Sequence, residues 1–130
     1  MSALSDYSEK LVLDWLMTTG AATRPTAWFV ALYTAAPSDS GGGTEVTLGG
    51  YTRKSVTFNA AASPGGTTSN STVVTWTAAG ANFGSVTHVG IFDASTAGNL
   101  LWQGSLSASK TVNDGDTIQF SAGNLTLALA

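Results

Sequence analysis

The chain has 130 residues, no cysteine and a formal net charge of −3, which predicts one domain with a modest core and excludes disulfides and cysteine-based zinc sites. Its five Lys and Arg residues are scattered, so neither nucleic acid nor an anionic membrane is expected as a partner. Charged residues make up 10% of the chain, against about 25% in typical proteins. A surface this poor in charge suits β-structure that is covered by copies of itself or by a partner, although secreted β-proteins share the composition.

Targeting and membrane-spanning segments are not expected. The N-terminus lacks the basic start, apolar run and small-residue cleavage site of a signal peptide. Apolar runs also stay well short of the ~20 residues that a membrane-spanning helix needs. We therefore expect a protein that is made in a cytosol and kept or assembled there.

Residues 6–17 predict an amphipathic helix. Asp6 is a suitable N-cap, and Glu9 three residues later completes a capping-box pattern. The main apolar stripe at helical spacing comprises Leu4, Leu11, Val12, Trp15 and Leu16. Leu13 and Met17 fall outside this stripe. The helix therefore either simply covers one end of a sheet or also presents these two side chains to a neighbouring subunit.

The remaining sequence predicts about seven or eight short strands, which include residues 27–34, 51–58, 72–78, 86–93, 99–106, 117–120 and 125–129. The hairpin over residues 86–106 has large apolar side chains on both faces and is expected at the centre of the fold. Residues 51–58 alternate like a half-exposed strand, and residues 125–129 place three leucines on one face that close the core. Residues 1–130 are thus expected to form a mainly β domain, an antiparallel β-sandwich or jelly-roll-like fold with one N-terminal α-helix.

Two glycine-rich loops, residues 37–50 and 60–69, are candidates for partner contacts. The three consecutive glycines in the first loop lack the Lys-Ser/Thr and the following helix of a phosphate-binding loop. A mobile surface loop that orders on contact is the favoured interpretation. With the two helix residues, the interface candidates are Leu13, Met17, Gly41, Gly42, Gly43, Pro64, Gly65 and Gly66.

No catalytic, metal or cofactor site is predicted. The single histidine, His88, lies within a strand and is interpreted as structural, with catalytic use as the alternative. Asp114 and Asp116 surround a glycine in a turn signal, but the sequence lacks the full ligand alternation of a calcium loop. The aromatic residues are interpreted as core and interface filler, with a sugar-binding platform as the alternative.

A series of segments covers nearly the whole chain: Ser5–Leu11, Trp28–Pro37, Tyr51–Arg53, Val56–Phe58, Thr87–Ala94, Gly98–Leu106, Lys110–Val112 and Gly115–Thr117. This series resembles the small structural virion proteins of tailed bacteriophages, which are labelled head-decoration or tail-fibre-like proteins. The resemblance implies a non-enzymatic virion component that is made in the host cytoplasm and assembled onto the particle.

The resemblance leaves the position in the virion open. A compact chain without a long shaft favours a capsid cement protein that binds the capsid exterior and stabilises the shell by binding only its assembled state. The partners would then be other copies, most simply as a homotrimer, and the major capsid protein or other virion proteins. The alternative is a tail-fibre or tail-tip component that takes part in host adsorption. A sugar-binding module and a small hydrolase that uses His88 are the remaining classes.

Overall fold

The computed structural model describes residues 2–129, which form one α-helix near the N-terminus and ten β-strands in antiparallel pairs. In chain order the elements are β1 (Ser2–Leu4), α1 (Asp6–Met17), β2 (Phe29–Ala35), β3 (Thr44–Glu45), β4 (Lys54–Ser55), β5 (Thr67–Ser69), β6 (Val74–Thr77), β7 (Gly84–Phe92), β8 (Leu100–Val112), β9 (Thr117–Phe120) and β10 (Thr126–Ala128). The predicted mainly β fold with an N-terminal helix is confirmed.

The predicted hairpin is the centre of the main sheet, whose strand order is β1-β8-β7-β2-β3, with β4 also paired to β2. Strands β7 and β8 pair from Gly84 opposite Val112 to Phe92 opposite Leu100. The second arm is longer than predicted, because residues 106–109 form an irregularity opposite the single residue Thr87 and pairing then resumes. The bulged residues of β8 line part of a cleft between β8 and the strands β9 and β10.

Two ribbons, β5–β10 and β6–β9, cover one face of the main sheet and give the fold its sandwich-like form. The core between them contains sheet residues such as Leu32 and Val86 together with ribbon residues such as Ile118. Trp76 fills its centre, only 2% exposed, and its indole N–H donates to Thr52 O at 2.9 Å. Phe92 and Leu100 at the end of the hairpin belong to a second, smaller buried cluster with Ala31 and Tyr33 of β2.

The strand predicted over residues 51–58 is reduced to β4, two residues long. The reason lies in Tyr51, whose side chain turns toward β2 and accepts the Leu32 N–H through its hydroxyl at 3.0 Å. A side-chain oxygen thus satisfies a backbone donor that a paired strand would otherwise satisfy. The sheet edge of β2 is divided between β4 at one end and β3 at the other.

Other local predictions also need correction. Leu4 belongs to β1, not to the helix stripe, and three short strands, β1, β3 and β5, fall where no strand was expected. In the last strand Leu125 is buried, whereas Leu129 is 47% exposed, so the three leucines do not all close the core. Strands of two or three residues carry too few side chains for an alternation pattern, and their pairing is decided by distant partners.

Candidate interaction surface

The first turn of α1 is fastened to the sheet by Ser5. Its hydroxyl donates to Leu100 O and accepts the Ser8 N–H at 3.2 Å, while its backbone N–H donates to Leu101 O at 3.0 Å. Ser5 and Ser8 are both buried. The N-cap is therefore Ser5 and not Asp6 as predicted, because only the Ser5 side chain lies where it can accept the orphan N–H of the first turn.

The second half of the helix is largely exposed. Residues 11–17 comprise six apolar side chains and one acidic side chain, Asp14. Four of the apolar side chains, hereafter the helix surface, are strongly exposed: Leu13 (59%), Trp15 (71%), Leu16 (59%) and Met17 (75%). A helix segment that is apolar on nearly all sides is normally buried. The expectation that the main stripe covers a sheet end is thus wrong for Trp15 and Leu16, which are as open as Leu13 and Met17.

A shallow groove continues the helix surface. The chain that follows α1 turns back, so that Leu11, Val12 and Trp15 line a cavity of about 370 Å³ together with Ala22 and Arg24. The apolar area presented by this end of the molecule therefore includes a concave part. Contiguous apolar surface of this kind marks interaction sites in soluble proteins.

The glycine run of the first candidate loop lies near the base of the helix. Gly41 and Gly42 line a cavity of about 400 Å³ with Asp6 and Tyr7. Residues 38–41 form a closed turn, in which Ser38 and Gly41 exchange two backbone hydrogen bonds at 2.8 and 2.9 Å. Two of the three predicted glycines, Gly41 and Gly42, thus lie beside the first turn of the helix, and Gly41 is part of an ordered turn.

The second candidate loop is tied to a different part of the fold. The turn at Pro64, Gly65 and Gly66 precedes β5, and the carbonyl of Gly66 accepts the Leu129 N–H at 3.0 Å. The Gly66 N–H in turn donates to Ala62 O at 3.2 Å. This turn therefore closes the β5–β10 ribbon, and its role as a partner contact stays a prediction.

A second concave feature, hereafter the cleft, opens between β8 and the strands β9 and β10. Its volume is about 760 Å³. Half-buried apolar side chains from these strands and β7 line it: Val89, Trp102, Leu106, Phe120 and Leu127. The indole N–H of Trp102 is buried and has no hydrogen-bond acceptor among residues 2–129. Sequence reasoning missed the cleft, because its walls come from strands whose mutual positions no local pattern encodes.

A polar cluster around Arg53 was also missed. The guanidinium forms a two-point ion pair with the Glu45 carboxylate and lies over the Phe92 ring, with Cζ 3.6 Å from the ring centroid. It also donates to the carbonyls of Ala94 and Ala97 at 3.1 and 2.7 Å. Four of the five guanidinium N–H groups of Arg53 thus donate to acceptors within the protein, so the cluster holds these segments together.

The same cluster shifts the pKa values of its aromatic members. Burial and the nearby Glu45 charge raise the pKa of Tyr33 to about 12. Burial and the hydrogen bond to Glu45, at 2.7 Å, raise the pKa of Tyr51 still further. Burial tends to lower the pKa of Arg53, but the hydrogen bond and charge of Glu45 outweigh this effect and raise it. All three groups therefore keep their neutral-pH protonation states.

In a comparison with known protein families, the family model of Podophage GP4 fiber I protein gp80 matches residues 3–128. The chain belongs to this family. It is therefore a structural protein of a bacteriophage virion, as the sequence resemblance implied. Among curated proteins, none matches the chain.

In this gp80-family chain, the polar residues that could have suggested enzymatic chemistry make local hydrogen bonds. His88 lies half-buried in β7, with Nδ1 2.8 Å from Thr87 Oγ1. The carboxylates of Asp114 and Asp116 each accept a backbone N–H, at 2.9 and 3.0 Å, as expected of turn residues. Within residues 2–129, no cluster of three or more His, Cys, Asp or Glu side chains is arranged to hold a metal ion.

The four tryptophans do not share one exposed platform, since Trp76 is buried in the core while Trp15 lies on the helix surface. Over the described part of the chain, no helix has the length and apolar character that crossing a membrane requires. The helix surface and the cleft are thus the two features best suited to contacts with other molecules.

Proposed function

We propose that this protein is a fibre component of the phage virion that takes part in host adsorption. The observation that carries the proposal is the match of residues 3–128 to a fibre-protein family. It favours the tail-fibre interpretation over the capsid cement protein that the compact sequence suggested. The low content of charged residues and the exposed helix surface agree with a protein whose surface is partly covered by other virion subunits.

Self-association is part of the proposal, most simply as a homotrimer, with another virion protein as the site of attachment. The four side chains of the helix surface are the best candidates for burial in these contacts. Removing such side chains from water stabilises an assembly by roughly 25 cal/mol per Å² of apolar area. Large apolar and aromatic side chains also dominate the energetics of protein interfaces.

Localisation on the particle tests the proposal. Purified virions would be labelled with a gold-conjugated antibody against this chain and imaged in parallel with cryo-electron microscopy of unlabelled particles. Label and density at fibres on the tail are the expected result. Label spread over the capsid shell would overturn the fibre assignment in favour of capsid cement, and absence from the particle would overturn both. Antibody pre-absorbed with the purified protein is the control for non-specific labelling.

A further inference from the structure

We propose that the helix surface of one copy docks into the cleft of the next copy, a head-to-tail contact between identical chains. The inference deepens the proposed self-association and rests on it. It is drawn from the complementarity of two features of the same chain that remain uncovered in the isolated structure. The apolar helix end is the convex partner and the cleft is the concave partner.

The end of the helix supplies hydrogen-bond acceptors as well as apolar side chains. The last four carbonyls of an α-helix lack partners within the helix. Thr18 satisfies one of them by donating its hydroxyl to Asp14 O at 2.9 Å. The last turn contains no basic residue that would offset the partial negative charge at this helix end. The helix end therefore favours a surface that offers a positive charge.

The cleft offers this charge together with an apolar wall, in which the half-buried Trp102 is the largest side chain. Lys110 is the charged side chain of the cleft lining, and its ammonium lies 2.6 Å from Thr117 O. The volume of about 760 Å³ lies in the range of pockets that hold large apolar groups.

A second copy fits these features better than a membrane does. The charged residues of the helix are three acids, Asp6, Glu9 and Asp14, and one base, Lys10, whereas helices that bind anionic bilayers carry an excess of Lys and Arg. The exposed side chains of the helix surface amount to an area on the order of 500 Å², with Trp15 as the largest contributor, which is more than half of the ~800 Å² per partner of a standard interface.

A helix-to-cleft contact covers both of the uncovered surfaces, whereas a bundle of helices would cover only the helix surface. A parallel bundle would place the same acidic residues and the same negative helix ends beside each other, and it would leave the apolar cleft uncovered. A head-to-tail contact uses two different surfaces on each chain, and it closes into a ring when the rotation between copies permits. A three-membered ring is the form that agrees with the proposed homotrimer.

Two variants of the purified full chain test the contact. The helix variant Trp15→Ser/Leu16→Ser removes two exposed side chains, and the cleft variant Ala108→Trp adds bulk at an exposed residue of the cleft lining. Sedimentation velocity should show that each variant weakens self-association by roughly thirtyfold or more. The matched controls are Leu48→Ser, which removes a leucine that is 62% exposed, and Ser55→Trp in β4. Both controls should assemble like the unchanged protein.

Mixing the two variants gives the decisive result. The helix variant retains an intact cleft and the cleft variant retains an intact helix, so the mixture should form a one-to-one dimer that cannot close. If Ala108→Trp assembles normally, the head-to-tail contact is overturned while self-association stands. An unchanged protein that stays monomeric would overturn the proposed self-association itself. Circular dichroism checks folding. If Ala108→Trp unfolds, Gln119→Glu replaces it, since this change places a negative charge at another exposed residue of the cleft lining, opposite the negative helix end.

Discussion

Arg53 and Glu45 form a two-point ion pair, in which Nη2 lies 2.9 Å from Oε1 and Nε lies 2.9 Å from Oε2. The Arg53 side chain is only 10% exposed and that of Glu45 23%. Arg53 also donates to Ala94 and Ala97 in the loop between β7 and β8. One guanidinium therefore links β3, the segment before β4 and the tip of the central hairpin.

Glu45→Gln should destabilise the protein by about 2–3 kcal/mol, because it removes the charge that compensates a largely buried guanidinium while it keeps the shape of the side chain. Urea unfolding followed by circular dichroism measures the change. The matched control is Lys10→Gln, which breaks the exposed pair with Asp14 on the helix. That change should cost less than about 0.5 kcal/mol. Equal losses for the two variants would contradict the role assigned to the buried pair.

Alkaline pH should destabilise the fold through Tyr33 and Tyr51. Both folded-state pKa values lie above the unfolded value of 10.0, and that of Tyr33 is about 12. The folded state thus retains protons that the unfolded state releases, so both contributions are fully present below pH 10. The contribution of Tyr33 is lost as pH rises through about 12, and that of Tyr51 is lost at higher pH. Thermal unfolding at increasing pH, with phenolate absorbance recorded in parallel, measures the effect. Tyr33→Phe should reduce the loss, and a melting temperature that is unchanged across this window would refute the prediction.

Ser5→Ala should loosen the helix from the sheet. The hydroxyl of Ser5 caps Ser8 N and donates to Leu100 O, so its removal leaves two backbone groups without this partner. The expected cost is about 1–2 kcal/mol, in the range measured for N-cap residues. Hydrogen exchange should show faster exchange in residues 6–12 and little change in β7. Asp6→Ala is the control, since Asp6 does not supply the cap, and a larger effect for Asp6→Ala would contradict the assignment.

Gly42→Ala and Gly43→Ala should differ although the two residues are neighbours. Their φ angles are +79° and +75°, so both substitutions carry similar backbone strain of about 1 kcal/mol. A Cβ at Gly42 meets nothing within 4 Å, whereas one at Gly43 would lie 2.7 Å from Pro37 N and 2.8 Å from Ala35 O. Gly43→Ala should therefore be the more destabilising by roughly 2 kcal/mol in chemical unfolding. Similar losses would show that the loop can move away from this contact.

Local patterns in the sequence were sufficient for several elements. The helix begins at Asp6 and ends at Met17 as the apolar spacing predicted, because helical periodicity depends on neighbours three and four residues apart. The hairpin of β7 and β8 was predicted for a similar reason, since β-branched and aromatic residues are concentrated on either side of a short polar turn. The resemblance to phage virion proteins could likewise be read from the order of these segments.

Tertiary structure decided the features on which the proposals depend. Leu13 and Leu16 were assigned to different sides of the helix, yet both are 59% exposed, because exposure depends on what packs beside the helix. The cleft joins Trp102 in β8 to Leu127 in β10, and the ion pair joins Glu45 to Arg53 across the edge of β2. The sequence by itself determined the helix, the central hairpin and the protein class that the chain resembles. Strand pairing over long separations determined the sites, because no local propensity specifies which distant side chains will meet.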